Sequence, residues 1–428
     1  MAVATAPAAA PLDTTTASGR AALRKSRLLG VLFLAVAALI LLVFGLGSEG
    51  GLDARFGLNS GDPFFTLPDL VLPARGTAIV LALVCAVLGG IQLRRGFGDR
   101  TAIVLGIVAT CLVVSFLAWA ARGDSMSLIG LLESTLARAT PLTLGALAGV
   151  LCERAGVVNI AIEGQMLTAA FVGALVASAS ESLWVGMAGA IAAGALLGLV
   201  LGGLSIRYRV DQVIGGTVIN IFALGITSFL SASVMSEYQD LNNPGVFGGW
   251  AIPVLSDIPV IGPLFFEANV FVYAALLLPV LLTFALFRTR WGLRVRSVGE
   301  HPKAADTVGI NVFRVRYRSV MLGGAMAGLA GAFFTLGSVG RFDENMTAGR
   351  GFIALAALIF GRWHPAGAFA AALVFGFAES LQNRLAILDT PIPSEFLLMA
   401  PYLVTILVVA GVVGRSRAPA ADGIPYEP

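Results

Sequence analysis

Apolar runs of about 20 residues recur along the whole of this 428-residue chain, and each is long enough to carry an α-helix across about 30 Å of hydrocarbon. The first covers Leu28–Gly47. Others are centred on residues 84, 111, 143, 170, 195, 224, 278, 329, 375 and 405, with a shorter one at Gly351–Gly361. The runs do not alternate as the strands of an outer-membrane barrel would. Only 12% of the residues are charged and 57% are hydrophobic, whereas soluble domains carry about 25% charged residues. The expectation is an all-α, polytopic integral membrane protein with about 10–12 transmembrane helices, including short broken helices.

Charge placement orients the chain. Arg20, Arg24, Lys25 and Arg27 precede the first run, and the run is too long for a cleaved signal peptide. The loop Arg288–Arg318 holds Arg288, Arg290, Arg294, Arg296, Lys303, Arg314, Arg316 and Arg318 against only Glu300 and Asp306. The loop Ser236–Asn269 holds Glu237, Asp240, Asp257 and Glu267 and no Lys or Arg. The positive-inside rule puts a basic tail (1–27), the 288–318 loop and a C-terminal tail (416–428) in the cytosol, and Ser236–Asn269 outside. The expected location is the inner or plasma membrane, multi-pass, with both termini cytosolic.

Within this apolar chain, Glu153-Arg154-Ala155-Gly156-Val157-Val158-Asn159-Ile160-Ala161-Ile162-Glu163-Gly164-Gln165 gathers two carboxylates, an arginine and two side-chain amides. One charge at a helix centre costs roughly 2.5–3.5 kcal/mol on insertion scales, so such a cluster implies use. Val157–Gly164 and Gly351–Gly361 are too short or too broken to be ordinary spans. Paired interrupted helices mark binding regions in transporters, because their ends expose backbone groups to a cavity; a loop dipping into the bilayer without function is the competing reading. Glu163 is the residue singled out for lining a pathway, the alternative being a structural carboxylate satisfied by Arg154 or by a helix N-terminus. Gly186, Ala190, Gly194, Gly198 and Gly202 form a four-residue repeat, and Gly324 and Gly328 a second one. Such stripes suit close helix packing, with a substrate groove as the sharper alternative.

Gly299–Ile310 is patterned as a two-turn helix. Pro302 suits its first position, Glu300 the positive end of its dipole, and Gly309 the residue past its end. Ala304, Ala305 and Val308 would form one small apolar face. A helix this short is unstable alone and needs a partner surface.

In this order and spacing, Glu153–Gln165 and Gly299–Ile310 resemble the permease subunits of ABC importers for nucleosides and simple sugars, which belong with the ribose and branched-chain amino-acid permeases. The resemblance covers roughly residues 126–415 and extends to Gly351–Ala368. It implies a translocation pathway bordered by Asn159, Glu163, Gly164 and Gln165. It also implies an ATPase-coupling element of Gly299, Glu300, His301, Pro302, Lys303, Ala304, Ala305, Gly309 and Ile310. Implied partners are a cytosolic ABC ATPase, a second permease forming a heterodimer, an extracellular substrate-binding lipoprotein and the lipid bilayer. Nucleosides are favoured over sugars by the Glu-Arg-x-Gly-Val-Val-Asn-Ile form. The sequence departs from the family at His301, where Asn is frequent, and at Asp306-Thr307-Val308, where Arg-Tyr-Ala is common. Residues 28–125 exceed the family's usual N-terminal part.

No ATP site is expected in the chain itself. A phosphate-binding loop needs G-x-x-x-x-G-K-[ST], and the only lysines, Lys25 and Lys303, follow Arg24 and Pro302. No catalytic residue, metal, cofactor or nucleic-acid partner is expected. The alternative function is an ion-coupled secondary transporter, for which Glu133, Arg138, Glu379 and Arg384 are the candidate ionisable groups; their sequence positions suggest Glu133–Arg138 and Glu379–Arg384 pairs near helix ends.

Overall fold

A computed structural model describes residues 17–47, 51–59, 66–387, 399 and 417–427. The apolar run centred on 405 and residues 1–16 of the basic tail lie outside the described residues. The chain divides into two compact units, residues 1–58 with 67–128, and 59–66 with 129–428.

The first unit holds α1 (Ala17–Leu39, continued by a π-helical segment Ile40–Leu46), α2 (Ala74–Arg94) and α3 (Thr101–Ala120). Beside them lies a small sheet of β1 (Asp53–Gly57), β2 (Leu70–Pro73) and β3 (Ser125–Ser127), ordered β2-β1-β3. β1 pairs antiparallel with β2 and parallel with β3. Gly30 and Gly89 let α1 and α2 touch, since a Cβ on either would meet Leu93 or Leu34 at under 3 Å. Phe44, Phe116 and Trp119 form an aromatic cluster with centroids 5.5–6.0 Å apart.

The second unit contains the helices that carry the polar motifs. They are α4 (Leu128–Glu153), α5 (Ile162–Ser180), α6 (Leu183–Gly202), α7 (Gln212–Leu230), the short α8 (Ile261–Phe265), α9 (Val270–Arg288), α10 (Arg290–Glu300), α11 (Pro302–Thr307), α12 (Val312–Phe334), α13 (Arg350–Phe360) and α14 (Pro365–Ile387). A two-residue ladder, β4 (Trp250–Ala251) against β5 (Glu267–Ala268), closes the acidic loop. Among the described residues, nine helices are long and apolar enough to cross a membrane, and α13 is a shorter apolar helix. The chain is an all-α, multi-pass membrane protein. α4 is the most enclosed, with 89% of its apolar window buried, and α5 and α12 pack around it.

The stripe on α6 is a packing device. Gly186 faces Ala177 of α5, while Gly194 and Gly198 face Gly324, Gly328 and Val320 of α12. A Cβ on Gly194 would lie 2.3 Å from the Gly324 carbonyl oxygen, and one on Gly324 2.3 Å from that of Gly194. Backbones this close leave room for hydrogen alone, and association in lipid relies on such van der Waals contact. Replacing Gly194 by Val is expected to destabilise the protein by about 1–3 kcal/mol through overpacking. Gly225→Val on α7, where a Cβ meets nothing within 4 Å, serves as the control. Thermal unfolding of the two variants in detergent checks this.

Candidate translocation site and coupling surface

α4 ends at Glu153, and residues 154–161 cross to the start of α5 without regular structure, so the break falls slightly earlier than Val157–Gly164. Gly156 turns the chain at φ +82°. The exposed backbone of this loop is satisfied by side chains from α7. Val158 N–H donates to Gln212 Oε1 at 2.6 Å, Gly164 N–H to Asn220 Oδ1 at 2.8 Å, and Asn220 Nδ2 to the Ile160 carbonyl at 2.8 Å. Asn159 Nδ2 donates to Gln165 Oε1 at 3.1 Å, with both residues fully buried. Buried backbone groups must find partners, and here short polar side chains supply them where the helix cannot.

Glu163, in the first turn of α5, reaches across to α13. Its Oε1 accepts from Thr347 Oγ1 at 2.6 Å and from Gly349 N–H at 2.8 Å, and its Oε2 accepts from Gly351 N–H at 2.6 Å. These are donors at the N-terminus of a helix, where a negative charge is favoured. Of the alternatives open in the sequence, the partner of Glu163 is a helix N-terminus and not Arg154. Gly351 is required by this approach, because a Cβ there would lie 2.6 Å from the Glu163 backbone. Asn159, Glu163, Gly164 and Gln165 are thus brought together in one buried knot joining α5, α7 and α13.

Arg154 is held elsewhere. Its Nε donates to the Trp363 carbonyl at 2.7 Å, and Trp363 Nε1 donates to the Glu153 carboxylate. The guanidinium lies 5.5 Å from the Phe287 ring centroid, on which His364 also stacks at 4.7 Å. The end of α4 is thereby pinned to the α13–α14 turn, where Arg362 and Trp363 take left-handed backbone at φ 55° and 53°.

Above the knot lies a cavity of ≈ 350 Å³ between α4, α12, α13 and α14. Phe333, Phe334, Arg138, Arg350 and Glu379 are among the residues that line it. The ion pairing differs from the sequence expectation. Glu379 Oε1 binds Arg138 at 2.8 Å and Arg350 at 2.6 Å, so Glu379 joins α4 and α13 to α14 instead of pairing along its own helix with Arg384. Arg138 lies ten residues inside α4, about 15 Å at 1.5 Å per residue, not near its end. Arg350 had no signal of its own in the sequence. Arg138 and Glu379 were visible as isolated charges in apolar runs, but their pairing spans 241 residues.

The opposite end of α4 meets the second motif. α11 is capped by the His301 side chain, whose Nδ1 accepts from Ala304 N–H at 3.1 Å, with Pro302 in the first turn and Gly309 at φ +83°. The expected single apolar face is divided. Ala305 is buried against Val298, Val312 and Tyr426, while Ala304 and Val308 face outward, Val308 at 74% exposure. The i to i+1 step turns Ala304 and Ala305 about 100° apart on a helix. Glu300 ends α10 and accepts from Ala420 N–H at 3.2 Å, so its partner is the C-terminal segment and not the α11 dipole.

That segment, 417–427, gave no sequence signal and folds back beneath the motif. Ala421 N–H donates to the Gly299 carbonyl at 2.8 Å, Arg316 Nη1 to the Ile424 carbonyl at 3.0 Å, and Arg209 pairs with Glu427 at 2.8 Å. Tyr426 is buried and meets Phe313 edge-on at 5.4 Å. Burial pushes the Asp422 carboxyl up from 3.8 to about 6, although its hydrogen bond with Glu153 and the charge of Arg316 pull the other way.

A long-helix bundle with a half-length helix anchored at its N-terminus, a polar cavity and an exposed helical stub is the build of a transport permease. Residues 131–409 match the family described as the branched-chain amino acid transport system permease component, and the chain belongs to that family. It is 44% identical over 308 residues to a guanosine ABC transporter permease protein of Bacillus subtilis, covering 69% of this chain and 96% of that protein. A nucleoside ABC transporter permease protein of Lactococcus lactis is 39% identical over 305 residues, again 69% and 96%. A Haloferax volcanii protein provisionally named as a glucose ABC transporter permease is 33% identical over 311 residues, 68% and 93%. No solved structure matches. These relatives are transport subunits by name and not enzymes.

Two outcomes follow from the geometry. Glu163→Ala strips three donors of their acceptor and is expected to cost about 3 kcal/mol in unfolding stability, with Glu163→Gln losing roughly half as much, as read by denaturant titration in micelles. For the tail, an Asp422 carboxyl raised above its free value holds its proton more tightly when docked. That contribution is complete below about 4 and is lost as pH rises through about 6. Hydrogen-exchange protection of 417–427, corrected for intrinsic rates, is therefore expected to fall between pH 5 and pH 7, and to stay level across that range in Asp422→Asn.

Proposed function

We propose that this chain is one of two permease subunits of an ATP-driven importer for nucleosides, moving solute by alternating access. The support for the substrate class is the relative named for guanosine, nearly all of whose length this chain covers at 44% identity. ATP is hydrolysed by a separate cytosolic ATPase that docks on α11. The exposed row His301, Lys303, Ala304, Thr307 and Val308 is its seat, while Gly299, Ala305 and Ile310 form the root that transmits its movement. A Cβ on Gly299 would lie 2.2 Å from the Arg154 carbonyl oxygen, so α10 cannot shift without moving the loop that leads to Asn159 and Glu163. That loop leads into the first turn of α5, whose Glu163 holds the N-terminus of α13. Asn159, Glu163, Gly164 and Gln165 thus border the pathway by positioning α13, whose Arg350 faces the cavity.

The basic 288–318 loop and both termini lie in the cytosol, and the acidic loop 236–269 faces outward to a substrate-binding lipoprotein. A second, non-identical permease completes the pathway. The test is Val308→Asp in the assembled transporter, produced with its ATPase. The variant is expected to purify intact but to retain little ATPase and to lose uptake of radiolabelled guanosine at least tenfold. Normal ATPase recovery and uptake with Val308→Asp would remove α11 as the docking element. Uptake by the permease alone, sensitive to an ionophore, would replace the reading with ion-coupled transport.

A further inference from the structure

The three charges in the cavity wall exceed what packing requires. A half-buried carboxylate joining α4 to α14 needs one guanidinium, yet Glu379 Oε1 takes two. Each charge at this depth is costly, and charged groups inside membrane bundles concentrate where solutes or ions pass. The trio is also unsealed. The side chains of Arg138, Arg350 and Glu379 keep 35%, 27% and 18% of their surface, and all three line the cavity. Both arginines meet the same oxygen, and among the described residues no hydrogen bond reaches Glu379 Oε2. A carboxylate oxygen therefore faces the cavity with guanidinium N–H groups beside it.

The lining is also aromatic. Phe334 lies with its ring centroid 5.6 Å from the Arg350 guanidinium carbon, and Phe333 stands next to it. Asp343 also lines the cavity and is paired with Arg341 at 3.1 Å. A volume of ≈ 350 Å³ falls within the range of small-molecule sites, about 300–1,000 Å³. The occupant such a lining suits has a flat π-face for the phenylalanines, and carries on one edge both N–H donors for Glu379 Oε2 and a carbonyl acceptor for arginine. A plain sugar has no such face. Adenine has the face but no ring N–H on that edge. Guanine and hypoxanthine have both, and so does the smaller uracil ring.

We propose that Arg138, Arg350, Glu379 and the neighbouring Phe333 and Phe334 form a transit subsite for the base of a nucleoside, favouring 6-oxopurines over adenine. This rests on the nucleoside reading above. The subsite is weak by construction, because Glu379 is already shared between two arginines and a base gains only the surplus hydrogen bonds. Glu163 contributes at one remove, by fixing the N-terminus from which Arg350 projects.

The test uses the complete transporter in vesicles, with uptake of radiolabelled guanosine, adenosine and glucose measured for Glu379→Gln, Phe334→Leu and Phe334→Trp. Glu379→Gln is expected to lower guanosine uptake efficiency about tenfold, the scale of one lost hydrogen bond to a charged group, and adenosine uptake by less than threefold. Phe334→Leu is expected to lower both nucleosides, and Phe334→Trp to restore them. A fall of equal size for guanosine and adenosine in Glu379→Gln would mark a structural ion pair and overturn the subsite. Wild-type guanosine uptake in both Glu379→Gln and Phe334→Leu would overturn it as well. A wild-type transporter that moves glucose but neither nucleoside would instead overturn the functional reading beneath it.

Discussion

The carboxylate of Glu163 allows a helix to begin inside this protein. α13 starts at Arg350, where a continuous transmembrane helix would have earlier turns to take up its first N–H groups. In a water-poor interior, each unsatisfied backbone group costs several kcal/mol. One side chain from α5 accepts from Thr347, Gly349 and Gly351 together, and its negative charge is matched to the positive end of the short helix. Once α13 can end in mid-bundle, the space above it is free, and the cavity between α4, α12 and α14 exists because no helical turn fills it. Gly351 and the α6–α12 glycine contact both let backbones approach to within one atom's width of each other.

From that anchoring point the two ends of the second unit are mechanically linked. Toward the cavity, Arg350 extends directly from the capped helix and meets Glu379 and Arg138. Away from it, α13 runs to the Arg362–Trp363 turn, which Glu153 and Arg154 grip from the end of α4. Gly299 presses on the Arg154 carbonyl, and the 417–427 segment ties Gly299, Glu300 and Arg316 into one block. Packed elements of this kind shift as units and do not bend continuously, which suits an arrangement in which a soluble motor moves a small stub and a half-helix responds.

Much of this was legible in the sequence. The apolar runs gave the helices, because hydrocarbon thickness sets their length, and the centres at 143, 170, 195 and 329 fall within α4, α5, α6 and α12. Pro302 and Gly309 bounded α11 through backbone preferences that need no neighbours. The four-residue repeat on α6 was readable as a close-packing face, though not its partner. Less legible were pairings between distant segments. Glu379 was set against Arg384 because they share a helix, whereas the shorter path in space leads to Arg138 and Arg350. The tail 417–427 looks like any polar terminus until Tyr426 is seen buried against Ala305.

The sequence by itself determined that this chain crosses a membrane many times, where its helices break, and which short segment projects from the bundle. These are local properties, set by transfer of side chains to hydrocarbon and by the backbone limits of proline and glycine. Only the tertiary structure decided what Glu163 holds, that Ala305 turns inward while Val308 faces out, and that three charges and two phenylalanines from four helices enclose one cavity. Those depend on which helix faces meet, and electrostatic and packing energies between residues nearly 250 positions apart have no expression until the chain has folded.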